Sequence, residues 1–202
     1  TGMWVHSMIT LSSVLVSVLI CFVIGVPLGV IASYNKWYRD IQNVVLDAMQ
    51  TLPYFCYLIP VLMFFGGNIV SAVIATVIYS VPPIIRLTAL GLSQVSGSYS
   101  EVSKSFGGTG IQTLNKVKFP LAVPSLVMGF NQTVIMAFAM QIVTPLIGGK
   151  GLGLQVFNAL QRSDTGRGLS AGLAIVLLAI IIDRITHAWT KKQRQALGLD
   201  KS

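Results

Sequence analysis

No aspartate, glutamate, lysine or arginine occurs in residues 1–35 or in residues 119–149. A helix built from either stretch has no charged face to turn toward water, and each exceeds the roughly 20 residues that cross a hydrocarbon core. The rest of the chain cannot cover them, because 53% of all residues are hydrophobic and only 10% are charged, against about 25% charged in soluble domains. The mean hydropathy is +0.75. The chain therefore reads as an all-α, polytopic membrane protein, with one transmembrane domain over residues 1–202.

Five spans are predicted, over residues 8–32, 41–65, 69–90, 122–147 and 169–189, the third interrupted by Pro82-Pro83. Each is long enough to cross at 1.5 Å per residue. Five spans put the two ends on opposite sides. With the segment between the third and fourth spans inside, the cytoplasm receives eleven cations: Lys36, Arg39, Arg86, Lys104, Lys116, Lys118, Arg184, Lys191, Lys192, Arg194 and Lys201. The outside receives three: Lys150, Arg162 and Arg167. The positive-inside rule then sets the N-terminus out and the C-terminus in. The same rule accounts for the net charge of +8 without a nucleic-acid partner. Thr1 in place of an initiator methionine, and an outside start without a signal, lead to the expectation of upstream residues carrying a further helix.

Gly25-x-x-x-Gly29 and Gly168-x-x-x-Gly172 each place two glycines on one helical face, where backbones can approach closely. Pro27, Pro53, Pro60, Pro82 and Pro83 lie within spans, as bends or as breaks that line a cavity. Cys21 and Cys56 sit in apolar spans as small hydrophobes, and no metal-ligand spacing or disulfide framework is present. An intramembrane hydrolase is the least favoured alternative, since His6 and His187 are far apart and neither Gly-x-Ser-x-Gly nor His-Glu-x-x-His occurs. An autonomous channel or secondary transporter would need no cytoplasmic docking element, and the internal repeat usual in secondary transporters is not found.

Residues 97–120 supply such an element. Tyr99, Val102 and Phe106 fall on one helical face, Gly107, Gly108 and Gly110 end that helix at an elbow, and Ile111, Leu114 and Val117 mark a second short helix that Pro120 is expected to stop. Glu101, Gly107, Val117, Phe119 and Pro120 keep the spacing of the "EAA" loop, so the chain resembles the membrane subunits of ABC importers. It departs from that pattern at Val102, Ser103, Val117 and Phe119, each change keeping helix-compatible or apolar character. Leu46 to Pro53, Tyr57 to Pro60, Pro82 to Thr88, Gly129 to Thr133 and Asp183 to Thr186 resemble the glycine betaine/proline betaine importer subfamily, whose relatives handle choline, carnitine, histidine or trimethylamine N-oxide. Gly148-Gly-Lys-Gly-Leu-Gly153 also fits, and it is no phosphate loop, since Gly151 and not Ser or Thr follows Lys150.

The resemblance implies a type I importer permease core that forms the translocation pathway for such an osmolyte and catalyses nothing itself. It holds no cofactor; ATP and magnesium belong to two partner ATPase subunits, with the loop's second helix docked in the ATPase. It further implies an external substrate-binding protein and a second copy of the chain. The coupling-loop candidates are Glu101, Ser105, Gly107, Gly108, Gly110, Val117 and Pro120. The pathway candidates are Tyr54, Phe55, Tyr57, Gln50, Asn131, Gln132 and Gln141. For the polar ones, and for Asp47, two readings stand: contact with the solute, or an interhelical hydrogen bond or ion pair.

Overall fold

The computed structural model describes residues 2–196 of the backbone and the side chains of residues 2–188. Lys191, Lys192, Arg194 and Lys201, counted above as cytoplasmic, lie outside the described side chains. The described residues form helices and no strand, in the order α1 (Met3–Tyr34), α2 (Lys36–Thr51), α3 (Phe55–Phe65), α4 (Ile69–Ser80), α5 (Pro82–Ser93), α6 (Gly97–Ser105), α7 (Gly110–Thr113), α8 (Phe119–Met140), α9 (Leu152–Gln161) and α10 (Thr165–Ala196). Four helical stretches are long and apolar enough to cross a membrane: Met3–Tyr34, Ile69–Ser93, Gly110–Met140 and Thr165–Ala188. The pair α2 and α3 passes the same test together, making up to five.

The bend expected at Pro53 in the second span is a full break in direction, because the halves of that pair meet at 95°. The cause is local. Pro53 disfavours the helical region for the residue before it, and Leu52 adopts extended angles, φ −69° and ψ 132°. The bend is then pinned by the Tyr57 hydroxyl, which donates to the Met49 carbonyl. Pro82-Pro83 has the opposite outcome. It occupies the first turn of α5, where missing N–H groups cost nothing, and α4 and α5 run on as one span of 25 residues.

The fourth span also departs from expectation. Pro120 does not stop the second short helix; α7 passes through a widened turn at Leu114–Lys118 into α8, giving one helix of 31 residues. In that turn the Phe119 N–H reaches back five residues to the Leu114 carbonyl. A regular turn would drive the Pro120 ring into the carbonyl of Lys116, and the extra residue relieves that clash. At the other end α8 stops at Met140, short of the predicted residue 147, and a 3₁₀ turn at Thr144–Ile147 follows. Helix α9 was not predicted at all. At 10 residues it is too short to cross, and it buries Leu152, Gln155 and Ala159 on one face.

Helices α1, α5 and α8 form the centre. Gly25 and Gly29 press α1 onto α5, where a Cβ on Gly29 would lie 2.5 Å from the Thr88 Cβ and 2.7 Å from the Ile85 carbonyl oxygen. In the first third of α8, Ser125 sits as close to Gly91 of α5. Val14, Val18, Val134, Phe138, Leu152 and Ile175 build a core joining α1, α8, α9 and α10, and Cys21, Leu46, Ile84 and Ile85 build another against α2. The second glycine pair behaves differently: Gly168 nears Ala159, but nothing lies within 4 Å of a Cβ on Gly172. Helix α10 keeps its apolar face outward, with Leu169, Leu173, Leu177, Ile181 and Ile185 all exposed, as a lipid-facing helix does.

Candidate functional site

The elbow follows from its caps. Helix α6 ends with the Gly107 N–H on the Lys104 carbonyl at 2.8 Å and the Gly108 N–H on the Ser103 carbonyl at 2.9 Å. These are the paired bonds of a Schellman turn, which needs a left-handed residue just past the helix, and Gly107 has φ +77°. The chain restarts at once. Thr109 caps α7 in a reciprocal box, its backbone N–H donating to Gln112 Oε1 at 2.9 Å. Ser103, which stands where the loop pattern has alanine, shares a 2.8 Å hydrogen bond between its hydroxyl and that of Thr113. That bond ties the two helices together across the turn.

Helix α6 buries no side chain. Tyr99 and Val102 are each more than half exposed, Phe106 is 88% exposed and Ile111 74% exposed. Such a set of unpartnered apolar groups on polar helices marks a contact surface. Glu101 is exposed and has no ion pair among the described residues, and Ser105 donates to its carbonyl at 3.0 Å. Glu101, Ser105, Gly107, Gly108 and Gly110 thus gather on the elbow. Val117 and Pro120 do not: they are half-buried in the root of α8. Leu114 likewise packs against Leu92, Ala122 and Leu126. The expected apolar face Ile111, Leu114, Val117 is therefore divided, and the free surface belongs to α6, Phe106 and Ile111. Residues 94–96 alone separate α6 from α5, so the elbow joins two central helices directly.

The pathway candidates do not form one cluster. Tyr54 and Phe55 are exposed at the α2–α3 bend, their rings tilted at 45° with centroids 4.8 Å apart. Tyr57 is buried, meets Tyr79 edge-on and braces the bend. Gln50 and Gln132 are exposed, while Asn131 is buried in α8. Asp47 accepts from Arg86 at 2.5 Å, joining α2 to α5; these residues lie 39 apart in sequence. Arg39, Asn43 and Ser93 share their cleft of about 380 Å³. Lys118 lies 4.9 Å over the ring of Tyr34, which sets the end of α1 beside the root of α8. Among the described residues no group of His, Cys, Asp or Glu could hold a metal ion.

At the opposite end the glycine-rich loop works by close packing. Thr10 of α1 accepts the Leu152 N–H at 2.8 Å across 142 residues, capping α9. A Cβ on Gly153 would fall 1.8 Å from the Gln141 carbonyl oxygen, so only glycine lets α9 cross there. The Gln155 amide meets His6 Nε2 at 3.0 Å. Sequence reasoning missed Thr10, His6 and Gln155. The density of glycine announced a close approach, but nothing local named the partner. Beside the loop a cavity of about 590 Å³ opens between α1 and α4, with Trp4, Ser12, Ser13, Gln141 and Lys150 on its wall.

Comparison with known proteins bears on the elbow and the spans together. Residues 25–195 match the family described as binding-protein-dependent transport system inner membrane component. The chain is 46% identical over 185 residues to the glycine betaine/carnitine transport permease protein GbuB of Listeria monocytogenes, covering 92% of this chain and 66% of that one. It is 44% identical over 193 residues to the glycine betaine/proline betaine transport system permease protein ProW of Escherichia coli, covering 96% and 54%. The chain thus spans less than two thirds of the length of these curated relatives. In fold it resembles a chain of the MetNI methionine ABC transporter, with TM-score 0.79 at 22% identity over 92% of this chain and 93% of that one. Both the family match and the fold rest on the same helices that carry the elbow, and the chain belongs to the family of inner membrane components of binding-protein-dependent transport systems.

Proposed function

We propose that the chain is the permease subunit of an ATP-driven importer for glycine betaine, proline betaine or a related small osmolyte. The observation that carries this is the exposed elbow, a docking surface inserted between the two central helices of a family permease. Two copies of the chain enclose the pathway, in keeping with the preference for twofold assembly. Two ATPase subunits bind ATP and magnesium and receive the elbows, with α6, Phe106 and Ile111 as the contact. A substrate-binding protein delivers the solute on the opposite face. The charge count supports an elbow facing the cytoplasm and a glycine-rich loop facing outside. The names of the relatives support the substrate class, since those proteins are described as permeases for glycine betaine with carnitine or proline betaine.

The test is reconstitution of the full chain with its ATPase and binding protein in liposomes. Glycine betaine is expected to stimulate ATP hydrolysis and to accumulate inside, and the intact complex is expected to weigh as two permeases with two ATPases. A monomeric, ATPase-free particle that still transports the solute would overturn the reading. Labelling of a Ser105→Cys protein by an impermeant reagent from outside intact cells would overturn the orientation.

A further inference from the structure

We infer that the cavity between α1, α4 and the glycine-rich loop is a solute site on the permease itself, built for a small zwitterion that carries a carboxylate beside a methylated ammonium. The inference rests on the proposed function for its substrate class and adds the place and the residues.

The first observation is Gln141. It is only 2% exposed, and its Nε2 has no hydrogen-bond partner among the described residues. A buried amide donor left unpaired costs about 1–3 kcal/mol, which a carboxylate oxygen of a bound solute would offset once the Gln141 side chain turns toward the cavity it lines. Its placement is not slack. Gln141 closes α8, its backbone N–H bonds the Phe138 carbonyl at 3.1 Å, and its carbonyl accepts from Thr144 Oγ1 at 3.2 Å. The second observation is charge. Lys150 is exposed on the same cavity wall and has no ion pair among the described residues. An ammonium and an amide N–H on one wall together select an anionic oxygen pair. The third is the rest of the lining. Trp4 brings a ring of the kind that best holds a quaternary ammonium by its face, and Ser12 and Ser13 are the other polar side chains. The walls are fixed beforehand, since Thr10 ties the loop to α1 and Gly153 locks it against Gln141. Preorganisation of this kind lowers the cost of binding.

The site differs from an external capture site in position. In the proposed orientation it lies at the outer end of the spans, where a solute released by a binding protein first meets the permease.

Equilibrium binding of labelled glycine betaine to the permease–ATPase complex, held in phosphatidylcholine nanodiscs without binding protein, tests the inference. Saturable retention is expected, weakened about tenfold in Lys150→Gln and in Gln141→Leu. Arg162→Gln, an outward cation away from the cavity, should retain the solute normally. Tetramethylammonium, which lacks the carboxylate, should compete poorly. Lys150 is exposed, so its variant keeps the fold even where Gln141→Leu does not. Absence of retention by a complex that still transports glycine betaine with binding protein overturns the site and leaves the proposed function standing. Absence of both retention and transport overturns both. Retention that Lys150→Gln does not weaken overturns the site, whether or not phosphatidylglycerol competes with the solute.

Discussion

Gly107 offers the sharpest test of the elbow. Its φ of +77° lies in the left-handed region, and nothing within 4 Å would meet a Cβ placed there. Any cost of substitution within the chain is therefore a backbone cost, with no clash term. Alanine should cost about 1 kcal/mol and valine about 2 kcal/mol. Asparagine should cost less than either, because it enters this region most readily among side-chain-bearing residues. Against these stand the forces that hold the elbow. Helix α6 buries nothing, so the turn relies on its two cap bonds and on the Ser103–Thr113 hydroxyl pair, each about 1 kcal/mol net. The margin is narrow, and 1–2 kcal/mol shifts the native turn by a factor of about 5–30. Transport and solute-stimulated ATP hydrolysis in the reconstituted complex should fall most in Gly107→Val, less in Gly107→Ala and least in Gly107→Asn. Membrane abundance should stay near normal in all three, since the central helices are untouched. Full transport by Gly107→Val would refute the reasoning, as would losses that only track abundance.

Three further outcomes follow from the packing. Gly29→Leu should destabilise the chain by at least about 1–3 kcal/mol through overpacking against Thr88 and Ile85, whereas Gly172→Ala, with nothing near its Cβ, should be neutral or gain up to about 1 kcal/mol of helix propensity; thermal unfolding in detergent ranks the two. Thr10→Val leaves the buried Leu152 N–H unpaired and should cost about 1–3 kcal/mol, read as a lower midpoint of the same transition. Asp47 and Arg86 are partly exposed, so Asp47→Asn should cost about 1 kcal/mol or less; the swap Asp47→Arg with Arg86→Asp should recover stability relative to either single change, and failure to recover would mean the two side chains do not act as a pair.

The charge-free stretches made the spans legible, because lipid and water impose opposite demands on a side chain. The glycines at 107, 108 and 110 made the elbow legible, since few other residues turn a helix so sharply. Other features were hidden for identifiable reasons. The 95° bend depends on the angles of one residue, Leu52, and a proline in the text reads equally as a kink, a first turn or a break. Pro53, Pro82 and Pro120 took three different outcomes. Helix α9 has only 10 residues, too few for periodicity to stand out beside polar glycine-rich sequence. Gln141 was legible as a polar residue in a span, but its unpaired amide was not, and the cavity it shares with Lys150 is closed by Trp4 from the far end of the chain. The division of the second helix face, Ile111 outward and Leu114 inward, required knowing that α7 continues into α8.

That continuity has a mechanical consequence. Gly110–Met140 is one continuous helical run of 31 residues, about 46 Å long. The elbow adjoins one end, and Gln141 caps the other. Near its middle Ser125 bears on Gly91 at backbone-close range, the natural fulcrum. A tilt of about 10° about that point swings each end by about 4 Å on the same helical dimensions, and in opposite directions. In the proposed two-copy assembly with the elbows inside, a stroke that draws the inner ends together would spread the outer ends, so one bearing point would be enough to make the two mouths of a pathway open in turn.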